Sequence, residues 1–186
     1  LALAASPSPS WSQQFSARYD SEINVAVARW WPDFPYPYAW KAQLYQESLL
    51  NPQAVSPVGA RGLAQFMPGT WAEVQRDLGW SNVSPHSERH AIHAGAYYMA
   101  KLSRMWSSKR PILDRHWLAQ ASYNAGAGNI LKAQKACGGA SRYHAVIACL
   151  PRITGHHARE TTVYTQRINR WEGEMSGRRY GARTIR

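Results

Sequence analysis

Glu47 stands in the run Gln46-Glu47-Ser48 at the end of an apolar stretch, and the polar, glycine-containing segment Gly62-Leu63-Ala64-Gln65-Phe66-Met67-Pro68 follows it. One carboxyl beside a loop able to line a sugar-sized cleft is the equipment for general-acid cleavage of a glycosidic bond. Such reactions usually need a second carboxyl as nucleophile or base. The chain has eleven acids. Asp20, Glu22 and Asp33 lie towards the N-terminus, Glu73, Asp77 and Glu88 fall on helical faces, Asp114 begins a helix, and Glu172 and Glu174 lie near the C-terminal end. Only Glu47 and Glu160 sit in motif-like settings. A route with a single acid/base, in which the substrate supplies its own nucleophile, therefore fits this chain.

The elements that must position these residues are helical. Apolar spacing predicts a helix from Trp11 to Trp31, ended by the proline-rich run to Tyr38, and a second from about Tyr38 to Leu50, stopped by Asn51-Pro52. Glu47 then lies at the negative end of that helix dipole, which disfavours its charged form and raises its pKa. Thr70-Trp71-Ala72-Glu73 reads as a capping box, with Gly79 ending the helix it starts. Ser84-Pro85 reads as N-cap and N1 of a long helix to about Trp106. Further helices are expected from Asp114 to Ala125, from Ile130 to Lys135 and from Glu160 to Trp171. No alternating strand pattern and no repeat stands out, so the expected class is all-α.

Composition bounds the rest. The 186 residues suit one domain, and nine Trp, ten Tyr and three Phe suit both a core and faces for stacking on sugars. A net charge of +11 seeks polyanions, whether nucleic acid, anionic lipid headgroups or a bacterial envelope, and charge alone does not choose among them. Nucleic acid is disfavoured, because the basic residues are scattered apart from Arg178, Arg179, Arg183 and Arg186, and no nucleic-acid motif accompanies them. No apolar run reaches the roughly 20 residues of a membrane span. Residues 1–10 read as a flexible tail, either the remnant of an exported signal segment or the stub of an anchor, and 11–186 as a single catalytic domain. Cys137 and Cys149 are read either as a disulfide, the favoured alternative, or as two small buried thiols.

Competing motifs carry less. Gly126 and Gly128 lack the Gly-Lys-Ser/Thr of a phosphate loop. His86, His90 and His93 share a helical face, but no Cys or acid clearly joins them, so no metal is expected. Cys137 with His144 lacks an orienting third group.

Three segments carry a family resemblance. Glu47-Ser48, Ser56, Gly59-Ala60, Gly62 to Pro68 and Thr70 resemble the first signature of the soluble lytic transglycosylases. Ala121-Ser122-Tyr123-Asn124-Ala125-Gly126 resembles that family's Tyr-Asn-Ala-Gly motif, and Glu160-Thr161-Thr162-Val163-Tyr164 its third signature. Their order and spacing agree across residues 38–171. The resemblance implies a lysozyme-like helical domain around a groove for peptidoglycan glycan strands, without a cofactor.

It also implies that Glu47 protonates the bond between N-acetylmuramic acid and N-acetylglucosamine, then acts as a base to give a 1,6-anhydro product. Ser56, Gln65 and Met67 would contact sugar beside Glu47, Tyr123 and Asn124 would line the groove, and Tyr164 would approach the carboxylate. Glu160 would be structural. Ala64 departs from the Met common in the family, and residues 132–157 fall outside the matched pattern, where they would shape one end of the groove. The other readings are a muramidase that hydrolyses the same bond and a non-catalytic wall-binding protein. The expected setting is the bacterial envelope, periplasm or wall, or a bacteriophage lysis or virion protein, acting as a monomer.

Overall fold

The structure is a computed structural model that describes residues 15–34 and 36–177. Its helices are α1 (Asp20–Trp30), α2 (Pro37–Ser48), α3 (Pro68–Asp77), α4 (Glu88–Met105), α5 (Ile112–Ala125), α6 (Ala127–Ala136), α7 (Tyr143–Ile147), α8 (Pro151–Thr154) and, after a 3-10 turn at Gly155–His157, α9 (Ala158–Ser176). Among the described residues the only β pairings are the isolated bridges Val55 to Arg61 and Arg61 to Phe66. No helix among them is long and apolar enough to cross a membrane. The 1–10 tail and the Arg178 to Arg186 cluster lie outside the described residues.

α2 is the axis of the fold. Ala39 through Leu44 are all buried, so the helix has no solvent face over that stretch, and it packs chiefly on α9 with α1 beside it. An encircled helix must satisfy its polar side chains internally. Lys41 does so with Asp20 of α1 at 2.5 Å. Trp40, 1% exposed, lies over α4 and donates its indole N–H to the Ile92 carbonyl at 3.2 Å. Gly95 permits that approach, because a Cβ there would come within 2.2 Å of the indole.

The helix ends one residue after Glu47. Leu49 (φ 54°) and Leu50 (φ 60°) both take the left-handed conformation, and the Leu49 N–H closes on the Tyr45 carbonyl at 2.8 Å. The end is therefore set by two left-handed leucines ahead of Asn51-Pro52. The loop that follows folds back on α2 through Ser48, whose hydroxyl lies 2.9 Å from the Leu63 carbonyl. Gly62 anchors the other side. It has φ 76°, and a Cβ would lie 1.9 Å from the Pro85 carbonyl oxygen, so the loop touches the 84–87 turn backbone to backbone.

Several helix starts differ from the sequence reading. α1 begins at Asp20 rather than near Trp11, whose own position lies outside the described residues. α3 begins at Pro68, with Met67 as N-cap and no side-chain cap. Proline at N1 presets φ and starts the helix ahead of Thr70, so Glu73 faces outward and pairs with Lys101 at 2.7 Å. Ser84-Pro85 forms a turn, closed by the Ser87 N–H on the Ser84 carbonyl, and α4 starts only at Glu88. Residues 132–157, for which no helix is expected beyond Lys135, hold the end of α6, then α7, α8 and the 3-10 turn. A disulfide joins Cys137 to Cys149 across this segment. α9 runs further than the expected 160–171.

Candidate active site

Glu47 is only partly exposed, and its Oε1 accepts a hydrogen bond of 2.5 Å from the Tyr164 hydroxyl of α9. Burial is the main influence on the carboxyl and pushes its pKa up to about 7, while the Tyr164 bond opposes the shift. Desolvation thus raises the pKa in the same direction as the helix dipole expected from the sequence. Among the described residues no cation pairs with the group and no second carboxylate bears on it.

Most of the other acids are paired elsewhere. Asp20 holds Lys41, Glu22 holds Arg89 and His93, Glu73 and Asp77 share Lys101, Glu88 holds Arg18, Asp114 holds Arg142, and Glu174 holds Arg170. Asp33 is exposed, and Glu172 is buried against its own surroundings. Glu160 is exposed in the first turn of α9, 3.9 Å from His157.

The loop residues divide their polar atoms between structure and open space. The Ser56 Oγ accepts the Ala60 N–H at 2.9 Å and fixes a tight turn. Gln65 is left-handed (φ 46°) and donates its amide nitrogen to the Gly62 and Ala54 carbonyls. That amide nitrogen is spent on holding the loop, so only Oε1 of Gln65 remains for a ligand. Met67 caps α3 and is 43% exposed.

Tyr123 and Asn124 come from the end of α5. The Tyr123 hydroxyl donates to the Ala64 carbonyl at 2.7 Å, tying α5 to the loop. Its pKa is driven well above the usual tyrosine value by burial and by the nearby charge of Glu47. Asn124 accepts the Thr161 hydroxyl of α9 at 2.8 Å through Oδ1. This leaves the Asn124 amide nitrogen as a donor. Two hollows meet at Asn124 and Ala125. One of about 280 Å³ is bordered by Gln65, Met67, Tyr98 and Tyr123. The other, about 380 Å³, is bordered by Asn129, Ile153, Thr154, His157, Glu160 and Thr161. Glu47 lines neither hollow itself; Tyr123, which feels its charge, borders the first.

The three histidines do not converge. His86 bonds the Pro52 carbonyl, His90 the Ser87 hydroxyl, and His93 both Trp30 and Glu22. Among the described residues no three metal-ligating side chains gather. Two side chains at the site escaped the sequence reading. Thr161 orients Asn124, and Gln43, fully buried one turn before Glu47, places its amide nitrogen 3.4 Å from the Met99 sulfur. The signal for Gln43 was an uncharged polar residue at i−4 from the acid.

Residues 37–146 match the family model of the transglycosylase SLT domain, a match that takes in the first part of the 132–157 segment. The chain is 35% identical over 121 residues to the membrane-bound lytic murein transglycosylase F of Pseudoalteromonas translucida, covering 64% of this chain and 21% of that one. It is 37% identical over 89 residues to the protein of the same name from Alcanivorax borkumensis, covering 48% and 18%. The chain thus spans about a fifth of the length of these curated relatives. Its fold is similar to that of the 70 kDa soluble lytic transglycosylase of Escherichia coli, with TM-score 0.68 at 23% identity over 90% of this chain and 26% of that one. It is likewise similar in fold to an inactive variant of the lytic transglycosylase Slt of Pseudomonas aeruginosa, with TM-score 0.66 at 24% identity over 88% and 25%. These two likenesses establish the all-α, lysozyme-like fold.

Proposed function

The chain belongs to the transglycosylase SLT domain family, and we propose that it cleaves peptidoglycan glycan strands as a lytic transglycosylase with Glu47 as its single acid and base. The observation that carries this reading is the state of Glu47: a desolvated carboxyl, about half protonated near pH 7, held by Tyr164 and with no second carboxylate beside it among the described residues. A hydrolase of the two-carboxylate type would need that partner.

The chemistry balances without one. Glu47 gives its proton to the oxygen bridging the two sugars as the C1–O bond breaks. The N-acetyl oxygen of the muramyl residue closes on C1 and carries the positive charge. Glu47, now a carboxylate, removes the proton from the same sugar's 6-hydroxyl, whose oxygen attacks C1 and displaces the acetamido oxygen. A 1,6-anhydro bond results, no water is consumed, and Glu47 regains its proton.

Ser56, the free Oε1 of Gln65, and the amide of Asn124 supply polar contacts to the glycan, while Met67 and Tyr123 supply surface for sugar rings. The hollows meeting at Asn124 and Ala125 provide the path of the strand. The setting is the bacterial envelope, where the +11 charge favours binding to anionic polymers.

Digestion of purified sacculi tests the reading by mass spectrometry. Anhydro-muropeptides are expected, and reducing ends in their place would identify a muramidase. Glu47→Gln should lose cleavage while still binding walls; full cleavage by that variant would overturn the assignment.

A further inference from the structure

The second hollow, of about 380 Å³, takes its walls from several elements: Asn124 and Ala125 from α5, Asn129 from α6, Thr161 from α9, and Ile153, Thr154 and His157 from α8 and the 3-10 turn. Neither Glu47 nor Tyr123 borders it, so it lies beyond the place where the bond is broken. α8 is the wall least able to hold itself. It is a single turn that buries none of its side chains, and no residue from 151 to 157 is buried. The Arg152 N–H closes on the Cys149 carbonyl at 3.1 Å, and the Ile153 and Thr154 N–H groups close on that of Leu150 at 2.9 Å. So short a helix is marginal in water and opens readily unless its ends are held.

Both ends are held. Buried Ala158 opens α9 behind the segment, and buried Cys149 and Leu150 stand ahead of it. The disulfide ties Cys149 to Cys137, the C-cap of α6, with the Cα atoms 5.8 Å apart. α6 also carries Asn129, so one covalent link joins two walls of the same hollow. We propose that the Cys137–Cys149 disulfide is a positioning element for the second hollow: it fixes α8 against α6 and so sets how tightly the chain holds the sugars that lie beyond the bond being cleaved. Asn124, Asn129, Thr154 and Thr161 give this hollow the amides and hydroxyls that suit sugar hydroxyls and N-acetyl groups. With the link open, binding must first order α8, and that cost weakens binding of substrate and transition state alike. The inference rests on the cleavage reading and adds to it a bond that touches no substrate.

The protein is compared oxidised, reduced, and with Cys137→Ala and Cys149→Ala together. On soluble, uncrosslinked glycan strands KM should rise about threefold to tenfold in the reduced protein and in the variant, with kcat unchanged. Reductant should do nothing further to the variant. Ile153→Ala should raise KM in the oxidised protein and add little once the link is open, because the wall it stands on is no longer held. Hydrogen exchange of the Arg152, Ile153 and Thr154 amides, followed without substrate, should quicken about tenfold when the link opens. A disulfide that acts only on the unfolded chain would leave this local exchange and KM where they were, and either result overturns the proposal. So would a lowered kcat with KM unmoved, or fully additive effects of Ile153→Ala and reduction. If the alanine variant does not fold, the reduced protein carries the comparison. The exchange needs no turnover, so it separates failure of this inference from failure of the cleavage reading, which Glu47→Gln tests.

Discussion

Tyr164 donates its phenolic proton to Oε1 of Glu47 at 2.5 Å, joining two residues 117 positions apart through the packing of α9 on α2. Burial keeps Glu47 near neutrality of charge, and Tyr164 tempers that by favouring the ion. The balance leaves a carboxyl that can both hold and release a proton at neutral pH.

Cleavage should therefore fall as pH rises through about 7, when the proton to be donated is lost. The alkaline limb of kcat/KM, measured from pH 5 to 9 on purified sacculi, checks this. A flat profile across that range would remove Glu47 as the acid.

Stability should follow the same carboxyl. Its folded pKa lies above the unfolded value, so the folded state binds more protons between them, and stability falls as pH rises from about 4.5 to 7. Glu47→Gln has no ion to bury. It should exceed the parent by roughly 1–3 kcal/mol at pH 8 and match it at about pH 4. Thermal melts at the two pH values decide; equal melting at pH 8 would mean that ionising Glu47 costs the fold nothing.

Tyr164→Phe removes the hydrogen bond that favours the carboxylate. The alkaline limb should shift upward, and kcat should fall about 10- to 100-fold, since the ion formed after the first proton transfer loses its donor. An unmoved limb with an unchanged kcat would mean that the ring packs and the hydroxyl does nothing.

Gly95→Ala places a Cβ against the Trp40 indole, which is 1% exposed and has no room to retreat. A loss of about 1–3 kcal/mol is expected from denaturant unfolding. Because Trp40 lies on the helix that carries Glu47, activity should fall with it. A neutral substitution would mean that α2 shifts easily.

Replacing Cys137 and Cys149 together by alanine opens a loop that spans 12 positions. A loss of about 3 kcal/mol is expected from chain entropy. Reductant should destabilise the parent to the same degree and leave the variant unchanged, as differential scanning calorimetry would show.

Local features were legible wherever local chemistry decides. The periodicity of apolar residues predicted the main helices, and proline and glycine marked most of their ends, because these depend on neighbours along the chain. The starts of α3 and α4 were misread for the same reason. Thr70-x-x-Glu73 and Ser84-Pro85 satisfy capping rules on paper, but Pro68 begins its helix earlier, and the contact of Gly62 with the Pro85 carbonyl holds 84–87 as a turn. The 132–157 segment gave too short a pattern for α7 and α8 to be seen.

At the site the division is sharper. Sequence alone determined which acid stood apart, which motifs accompany it and in what order, because residue type and spacing are properties of the chain. Tertiary structure decided what that acid is. The raised pKa of Glu47 comes from burial between α2 and its neighbours, and the spent nitrogen of Gln65 from a left-handed loop. Desolvation and the direction of a hydrogen bond depend on groups brought together from distant positions, and no local pattern encodes them.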